Sequence, residues 1–382
     1  MRITGIELEN WRNFKNAKVE ITTDVVYLVG PNASGKSNFL DSLRFLRDIA
    51  KPIGGGLQTA LKERGGFSKV RCLHSRGTRK GGGTELSFRV TLKDGPTKWL
   101  YHLAINFPKS GRRDIPQIVK EFVQKDDDDP MVDRPYDKEK DDPEQLAVTY
   151  LEQAAQNGEF RSLANFFAAI TYVHLVPQLI KFGERISGNL LPDDPFGQAF
   201  MKRIADTANR TREFRLKKIS EALQGIVPGL DGLAFNKDSE GRPHIEMRYQ
   251  TYRPHAARQL EDQLSDGTLR LIALLWLLQE KHIAPLLLEE PELSLNEEIV
   301  RRLHRIFTKI SAKANNQLFV TTHSYALLSN PGMEGESIFQ VEPGTDGARI
   351  TSPTGIQMNA IRNGIPPADV ILSKEPQLVF DI

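Results

Sequence analysis

The chain opens on an alternation of apolar and polar positions, Ile3 to Leu8, which predicts a half-buried strand. Trp11-Arg12-Asn13-Phe14 reads as a turn, and Ala17 to Ile21 as a second strand. Val25 to Val29 is an unbroken apolar, β-branched run, the pattern of a buried strand. An amphipathic helix follows, with Phe39, Leu43 and Leu46 on one face, and Gly54-Gly55-Gly56 breaks it. Arg64-Gly65-Gly66-Phe67 is a second punctuated turn. Glu85 to Leu92 and Trp99 to Phe107 alternate again, as a hairpin or meander would.

The pattern then fails. Lys109 to Tyr150 is highly charged, has few apolar residues and contains Asp126 to Asp129, so it reads as a mobile, solvent-exposed insertion. Four adjacent aspartates can attract a cation, but mutually repelling, solvated carboxylates are the simpler reading. Gln145 to Ala169 looks helical, and Ile170 to Val176 reads as a strand ending at Pro177-Gln178. Gly197 to Leu223 is a long helical stretch. Its basic residues (Lys202, Arg203, Arg210, Arg212, Arg215, Lys217, Lys218) alternate with Ile204, Phe214, Leu216 and Ile219, as on a packed helix with a basic outer face. Leu233 to Phe235 and His244 to Tyr249 read as strands. Leu269 to Gln279 is an apolar helix, Pro285 to Leu288 a buried strand, Glu297 to Ile310 a helix and Gln317 to Thr321 a strand. No repeat and no sustained heptad is present.

Composition narrows the class. A chain of 382 residues with 39% hydrophobic content has material for one large domain or two to three smaller ones. Mean hydropathy is −0.39. The longest apolar run, Leu271 to Leu278, falls far short of the ~20 residues a membrane helix needs. The N-terminus alternates like a strand and has no signal core, so a cytoplasmic location is expected. The single cysteine, Cys72, excludes an internal disulfide and a cysteine metal cluster. Lys and Arg total 51 against 49 Asp and Glu, so bulk charge gives no support for nucleic-acid binding. Only a local patch such as Lys69 to Lys80 would, and basic runs are more often solvated faces.

The candidate chemistry lies at the element junctions. Between the Val25 strand and the helix stands Gly30-Pro-Asn-Ala-Ser-Gly35-Lys36-Ser37. Strand, G-x-x-x-x-G-K-S and helix form a phosphate cradle. The glycines allow a tight turn, and the loop N–H groups and helix N-terminus face the anion. Lys36 reaches the β- and γ-phosphates, and the Ser37 hydroxyl ligates Mg²⁺. A chance match has a probability of roughly one or two in a hundred for a chain of this length. Gln263-Leu264-Ser265-Asp266-Gly267-Thr268 opens a helix and suits either a phosphate or a plain helix cap. Leu286-Leu287-Leu288-Glu289-Glu290-Pro291-Glu292 ends a buried strand in carboxylates. One can hold the Mg²⁺ shell and a second can polarise water, although an exposed acidic turn has the same residues. Thr322-His323-Ser324 ends the next strand, where His323 can reach a γ-phosphate.

Phosphate loop, LSDG, LLLEEPE and TTHS, in that order, resemble the ABC-type ATPase heads of the RecF, SMC and OLD kind. The resemblance is strongest to stand-alone bacterial RecF-like, AAA-family ATPases of that group. NWRNF, GPNASGKSNFLDSLRFLRD, the RGGF turn, LSDGTLRL and EEPELSLN carry it, over roughly residues 1–110 and 165–340. It implies an α/β fold: a bilobed head with a P-loop NTPase core sheet, an antiparallel β subdomain and an inserted helical lobe. Gly30, Asn32, Ser34, Gly35, Lys36, Ser37 and Asn38 match the Walker A loop. Glu289 stands at the usual Walker B aspartate and Glu290 at the catalytic glutamate. Leu264 to Thr268 match the signature, with Asp266 in place of its second-position glycine, and Ser265 and Gly267 serve the nucleotide. Ser294 to Glu297 fall at the D-loop, and His323 matches the switch histidine. Arg12 matches the nucleotide-contacting arginine of repair-type heads. Gln178 matches the Q-loop glutamine, which also ligates Mg²⁺.

The resemblance divides the chain into 1–108 (N-terminal ATPase lobe), 109–165 (charged, mobile insertion) and 166–262 (Q-loop strand, helical lobe and small β segment). Residues 263–342 form the C-terminal ATPase lobe and 343–382 the tail. It implies an ATPase, with ATP and Mg²⁺ as ligands, that forms a homodimer around ATP. As such it would switch DNA repair or defence against foreign DNA (antiphage defence), through local DNA contacts or a separately encoded nuclease or effector. The alternatives are a transporter ATPase, which needs a membrane partner, and a nucleotide-dependent scaffold with negligible turnover, which the Asp266 and Glu289 departures leave open.

Overall fold

The computed structural model describes residues 1–72, 74, 85–107, 115–139, 142–183, 190–191, 193–250 and 257–372. Most of the basic run Lys69 to Lys80 and the tail beyond residue 372 lie outside these residues.

Strands β1 (Arg2–Trp11), β2 (Phe14–Glu20) and β3 (Val25–Val29) precede helix α1 (Lys36–Ala50). Helices α2 (Leu57–Glu63) and α3 (Phe67–Val70) lead to the hairpin β4 (Leu86–Asp94) and β5 (Thr97–Asn106). Then come β6 (Gln117–Lys125), β7 (Val132–Arg134), α4 (Arg161–Ala168) and β8 (Thr171–Val173). Helices α5 (Pro177–Phe182), α6 (Phe200–Asp206) and α7 (Asn209–Gln224) lead to β9 (Leu230–Lys237), β10 (Pro243–Tyr249) and β11 (Ala257–Leu260). Next are α8 (Asp266–Leu278), β12 (Leu286–Glu289), α9 (Glu297–Ala314), β13 (Leu318–Thr322) and α10 (Tyr325–Leu328). The last are β14 (Ile338–Glu342), β15 (Arg349–Thr351), α11 (Gly355–Arg362) and α12 (Pro367–Ile371).

The central sheet runs β15-β14-β3-β13-β12-β8 and is parallel except for β15. Every residue of β3 is buried, because helices cover both faces of the sheet. Side chains alternate between the faces. Val26 and Leu28 pack with Phe39, Leu40 and Leu43 of α1, while Tyr27 and Val29 join Leu271 and Leu274 of α8 and Leu303 of α9. A second, antiparallel sheet, β2-β1-β4-β5-β6-β7, shares the α1 core. Trp11 and Phe88 of that sheet meet Phe45 of α1 at 5.2 and 5.1 Å between ring centroids. A three-stranded sheet, β11-β10-β9, packs with α6, α7 and α8. The α/β head with its antiparallel subdomain and inserted helical lobe is therefore present.

Three expectations need correction. The charged stretch from Lys109 is not simply a solvated insertion, because β6 and β7 extend the antiparallel sheet. Asp126 to Asp129 are exposed as expected, but Glu121, Arg134 and Glu139 are each at most 1% exposed. Arg134 donates to Glu121 and Glu139 at 3.2 Å and to the carbonyl of Gln145 at 2.8 Å. A buried ion network breaks apolar alternation and so mimics a solvated segment. Second, Gln145 to Ala169 is helical only at α4 and a short 3-10 turn. The N–H groups of Tyr150 and Leu151 donate to Glu121 instead of helix carbonyls. Third, Gly197 to Leu223 is two helices. Arg212 donates to the carbonyls of Ala205 and Thr207 at 3.0 and 3.1 Å, closing the end of α6 before α7 begins.

Candidate functional site

The parallel register brings the carboxyl ends of β3, β13 and β12 to one edge, where Val29 pairs with Thr322 and Thr321 with Glu289. Loop 30–35 leaves β3 at this edge, the position at which open α/β sheets bind ligands. Two of its glycines have steric reasons. A Cβ on Gly30 would lie 2.1 Å from the carbonyl oxygen of Val341, and Gly35 has φ 118° with its Cβ position 2.3 Å from Asn13 Nδ2. The β1–β2 turn braces the loop from outside. Asn13 Nδ2 donates to the Ser34 carbonyl, and Asn38 Nδ2 to Asn13 Oδ1, each at 2.9 Å.

Pro31, Asn32 and Ala33 are exposed, whereas Ser34, Gly35 and Lys36 are buried. Lys36 Nζ donates to the carbonyls of Gly30 and Pro31 at 2.8 and 2.9 Å. Burial draws its pKa down, against the raising effect of Glu290, Glu292 and Glu289. The ammonium is thus folded over its own loop, facing three carboxylates.

Glu289 accepts two hydroxyl hydrogen bonds, at Oε1 from Ser37 and at Oε2 from Tyr172. Burial, followed by the Glu289 charge, raises the Tyr172 pKa, so the phenol carries its proton. Glu290 has φ 44°, an uncommon conformation for a non-glycine residue. Three bonds hold it: its N–H to the carbonyl (3.1 Å) and hydroxyl (3.2 Å) of Thr321, and its own carbonyl, which accepts from Arg270 at 3.0 Å. Its carboxylate lies 3.1 Å from His323 Nδ1. Glu292 is buried and accepts from the Thr322 hydroxyl, and burial raises its pKa. Glu292 Oε2, Arg270 Nε and Ser34 Oγ are buried without a partner, which marks this edge as incompletely satisfied by the protein.

Loop residues 30–38, Glu289, Glu290 and His323 thus lie together at one edge of the sheet. Others do not join them. Arg12 (φ 55°) donates to Asp41 at 2.6 Å, and Arg64 binds the same carboxylate. Gln178 lies in the first turn of α5 rather than at a strand end. Its Nε2 donates to Asp266 Oδ2 at 2.7 Å, and Lys181 binds the other oxygen. Among the described residues no hydrogen bond joins Gln178 to Ser37 or Glu289. Ser265 caps α8 by accepting from the Thr268 N–H. Gly267 is required by packing, since a Cβ there would stand 2.3 Å from the Ser294 carbonyl.

Tyr172, Arg270 and Asn13 have no role in the sequence-based reading of the site. Asn13 stands inside the NWRNF stretch and was open to discovery there. Tyr172 and Arg270 belong to a strand and a helix whose patterns speak only of packing.

Among the described residues no group of three or more His, Cys, Asp or Glu could hold a metal ion. The Ser37 hydroxyl and Glu289 carboxylate nevertheless fit Mg²⁺, which takes one or two protein oxygens and completes its shell with water and phosphate.

Residues 25–329 match the family model described as "AAA domain, putative AbiEii toxin, Type IV TA system". Over 46 residues the chain is 44% identical to the DNA replication and repair protein RecF of Chlamydia caviae, 12% of this chain and 12% of that protein. Over 56 residues it is 39% identical to the chromosome partition protein Smc of Methanococcus voltae, 14% of this chain and 5% of that one. The matches therefore span only a small part of these relatives' lengths. The fold superposes on the Smc head solved with the C-winged helix domain of ScpA. The TM-score is 0.59 at 14% identity, over 94% of this chain and 99% of that one.

Proposed function

The chain belongs to this AAA-domain family, and from that premise we propose that it is an ATPase head of the RecF/SMC kind that binds and hydrolyses ATP at the carboxyl edge of its central sheet. One observation carries the reading. The hydroxyl of the loop residue Ser37 meets Glu289, on the edge where Glu290 meets His323.

Lys36 exchanges the carbonyls of Gly30 and Pro31 for β- and γ-phosphate oxygens. Asn32, Ser34, Gly35 and Asn38 shape the cradle around the phosphates. Ser37 and Glu289 would hold Mg²⁺ when it is bound, and Gln178 would be free to join them only without its bond to Asp266. Bound there, the ion would supply neutralisation of the charge that develops on the transferred group. Glu290 accepts a proton from the attacking water, and His323 binds the γ-phosphate. Arg12 remains a candidate nucleotide contact, reached only if Asp41 gives it up.

Two heads would enclose two nucleotides, with Ser265 and Gly267 of one facing the ATP of the other. We assign the cycle a switching role in DNA repair or in defence against foreign DNA, exerted through a separate effector. The relatives' names and the toxin–antitoxin wording of the family description support that direction. Among the described residues no helix is long and apolar enough to cross a membrane.

Phosphate release by the purified chain tests the reading. ATP-dependent release in wild type, slowed ~10²–10⁴-fold in Glu290→Gln with nucleotide still bound, is the expected result. Absence of ATP binding in wild type overturns it.

A further inference from the structure

The departure at Walker B, glutamate for aspartate, has a counterpart on the neighbouring strand. Tyr172 pairs with Leu287 across the parallel β8–β12 ladder, and both residues lie in the core that contains α1. Side chains two apart on a strand share a face, so Leu287, Glu289 and Tyr172 all point towards α1. The tyrosine is only 7% exposed. The Arg44 guanidinium sits over its ring at 4.0 Å and fixes the ring plane. Held there, the phenol leans along the strand for about two residues of rise, ~6–7 Å, and its hydroxyl reaches Glu289 Oε2. Oε1 is left turned to Ser37.

We propose that Tyr172 is a positioning residue for Glu289: its hydroxyl on one carboxylate oxygen holds the other against Ser37, where the divalent ion binds. Glutamate is required because one carboxylate must span from α1 to β8. An aspartate, one methylene shorter, would reach only one of the two hydroxyls. Tyr172 and Glu289 therefore act as a unit. The inference rests on the reading that Ser37 and Glu289 take Mg²⁺ with the nucleotide.

The test is metal affinity rather than turnover. Mn²⁺ binding to the full-length protein with saturating ATP analogue is followed by electron paramagnetic resonance, and analogue binding is measured separately in EDTA. Tyr172→Phe keeps the ring under Arg44 and removes only the hydroxyl. Losing such an outer partner typically weakens a metal site roughly ten- to a hundredfold. Tyr172→Phe is expected to weaken Mn²⁺ binding within that range and to leave affinity in EDTA unchanged. Glu289→Asp should weaken Mn²⁺ binding too, and adding Tyr172→Phe to it should cost nothing further. Wild-type Mn²⁺ affinity in Tyr172→Phe, or additive losses in the double variant, overturns the proposal. Should Tyr172→Phe fold poorly, Glu289→Asp alone decides it: wild-type Mn²⁺ affinity in that variant overturns the proposal. A wild-type protein that binds the analogue with no help from Mn²⁺ overturns the metal reading as well, which separates the two failures.

Discussion

Gln178 Nε2 donates to Asp266 Oδ2 at 2.7 Å, which ties the first turn of α5 to the first turn of α8. Asp266 stands where the resemblance to ABC-type heads implies a glycine, and Lys181 shares its carboxylate. A glutamine so held must break a charge-assisted bond before serving a nucleotide. Such bonds contribute about 1.5–3 kcal/mol when buried and less at an exposed site such as this one. Asp266→Ala should therefore raise Mg-ATP affinity by a few-fold, measured with a fluorescent analogue, while Gln178→Ala lowers it. Unchanged affinity in Asp266→Ala would make the pair a structural tie and no more.

Lys36→Ala should lose nucleotide binding or hydrolysis. The ammonium is buried among loop carbonyls and three carboxylates, and no other described cation bonds to the Gly30 and Pro31 carbonyls. Calorimetric titration with ATP checks it. Wild-type affinity and turnover in the variant would remove the loop from the mechanism.

Glu290→Gln should bind ATP and turn it over ~10²–10⁴-fold more slowly. The amide keeps the backbone bonds to Thr321 and Arg270 but loses the charge beside His323. Single-turnover phosphate release checks it. Unaltered turnover would move the catalytic role to Glu289 or Glu292.

His102 supplies a pH test away from the site. Burial, then the charges of Arg89 and Lys120, lower its pKa from 6.5 to about 4. The unfolded chain therefore binds more protons in that window, and stability falls as pH drops from about 6.5 to 4. The ring is partly exposed, so the loss is on the order of 1 kcal/mol, less than full linkage gives. His102→Gln should flatten the fall in melting temperature over this window. An unchanged slope would place the proton uptake elsewhere.

The sequence made strand ends legible wherever an apolar run stopped at a chemical motif: Val29 before the loop, Leu288 before Glu289, Thr321 before His323. Burial on both sheet faces writes itself as continuous hydrophobicity. It could not show Glu121 and Arg134 inside the β6–β7 region, because a paired charge and a solvated one are the same letter. Tyr172 was invisible for a related reason. Its ring packs as any core aromatic does, and only the register of β8 against β12 sends its hydroxyl to Glu289.

Ser265 caps α8 with its hydroxyl on the Thr268 N–H, and Gly267 lies against the Ser294 carbonyl at the D-loop turn. Those contacts complete a helix start without any nucleotide, so this end of α8 needs an outside phosphate to do more. If the γ-phosphate is bound by a second copy, two equivalent sites form one isologous interface. Only a state that contacts the γ-phosphate is favoured by ATP over ADP. In a Glu290→Gln background, ATP should therefore accumulate a dimer by light scattering, and ADP should not. Adding Ser265→Arg should abolish the dimer by placing a bulky cation over the helix start, while each chain still binds ATP through its own loop. Should the resting protein already be dimeric, cysteine cross-linking beside Ser265 follows head closure instead. ATP-driven closure and turnover that survive Ser265→Arg would show that the LSDG stretch is a helix cap and that the nucleotide is served by one chain alone.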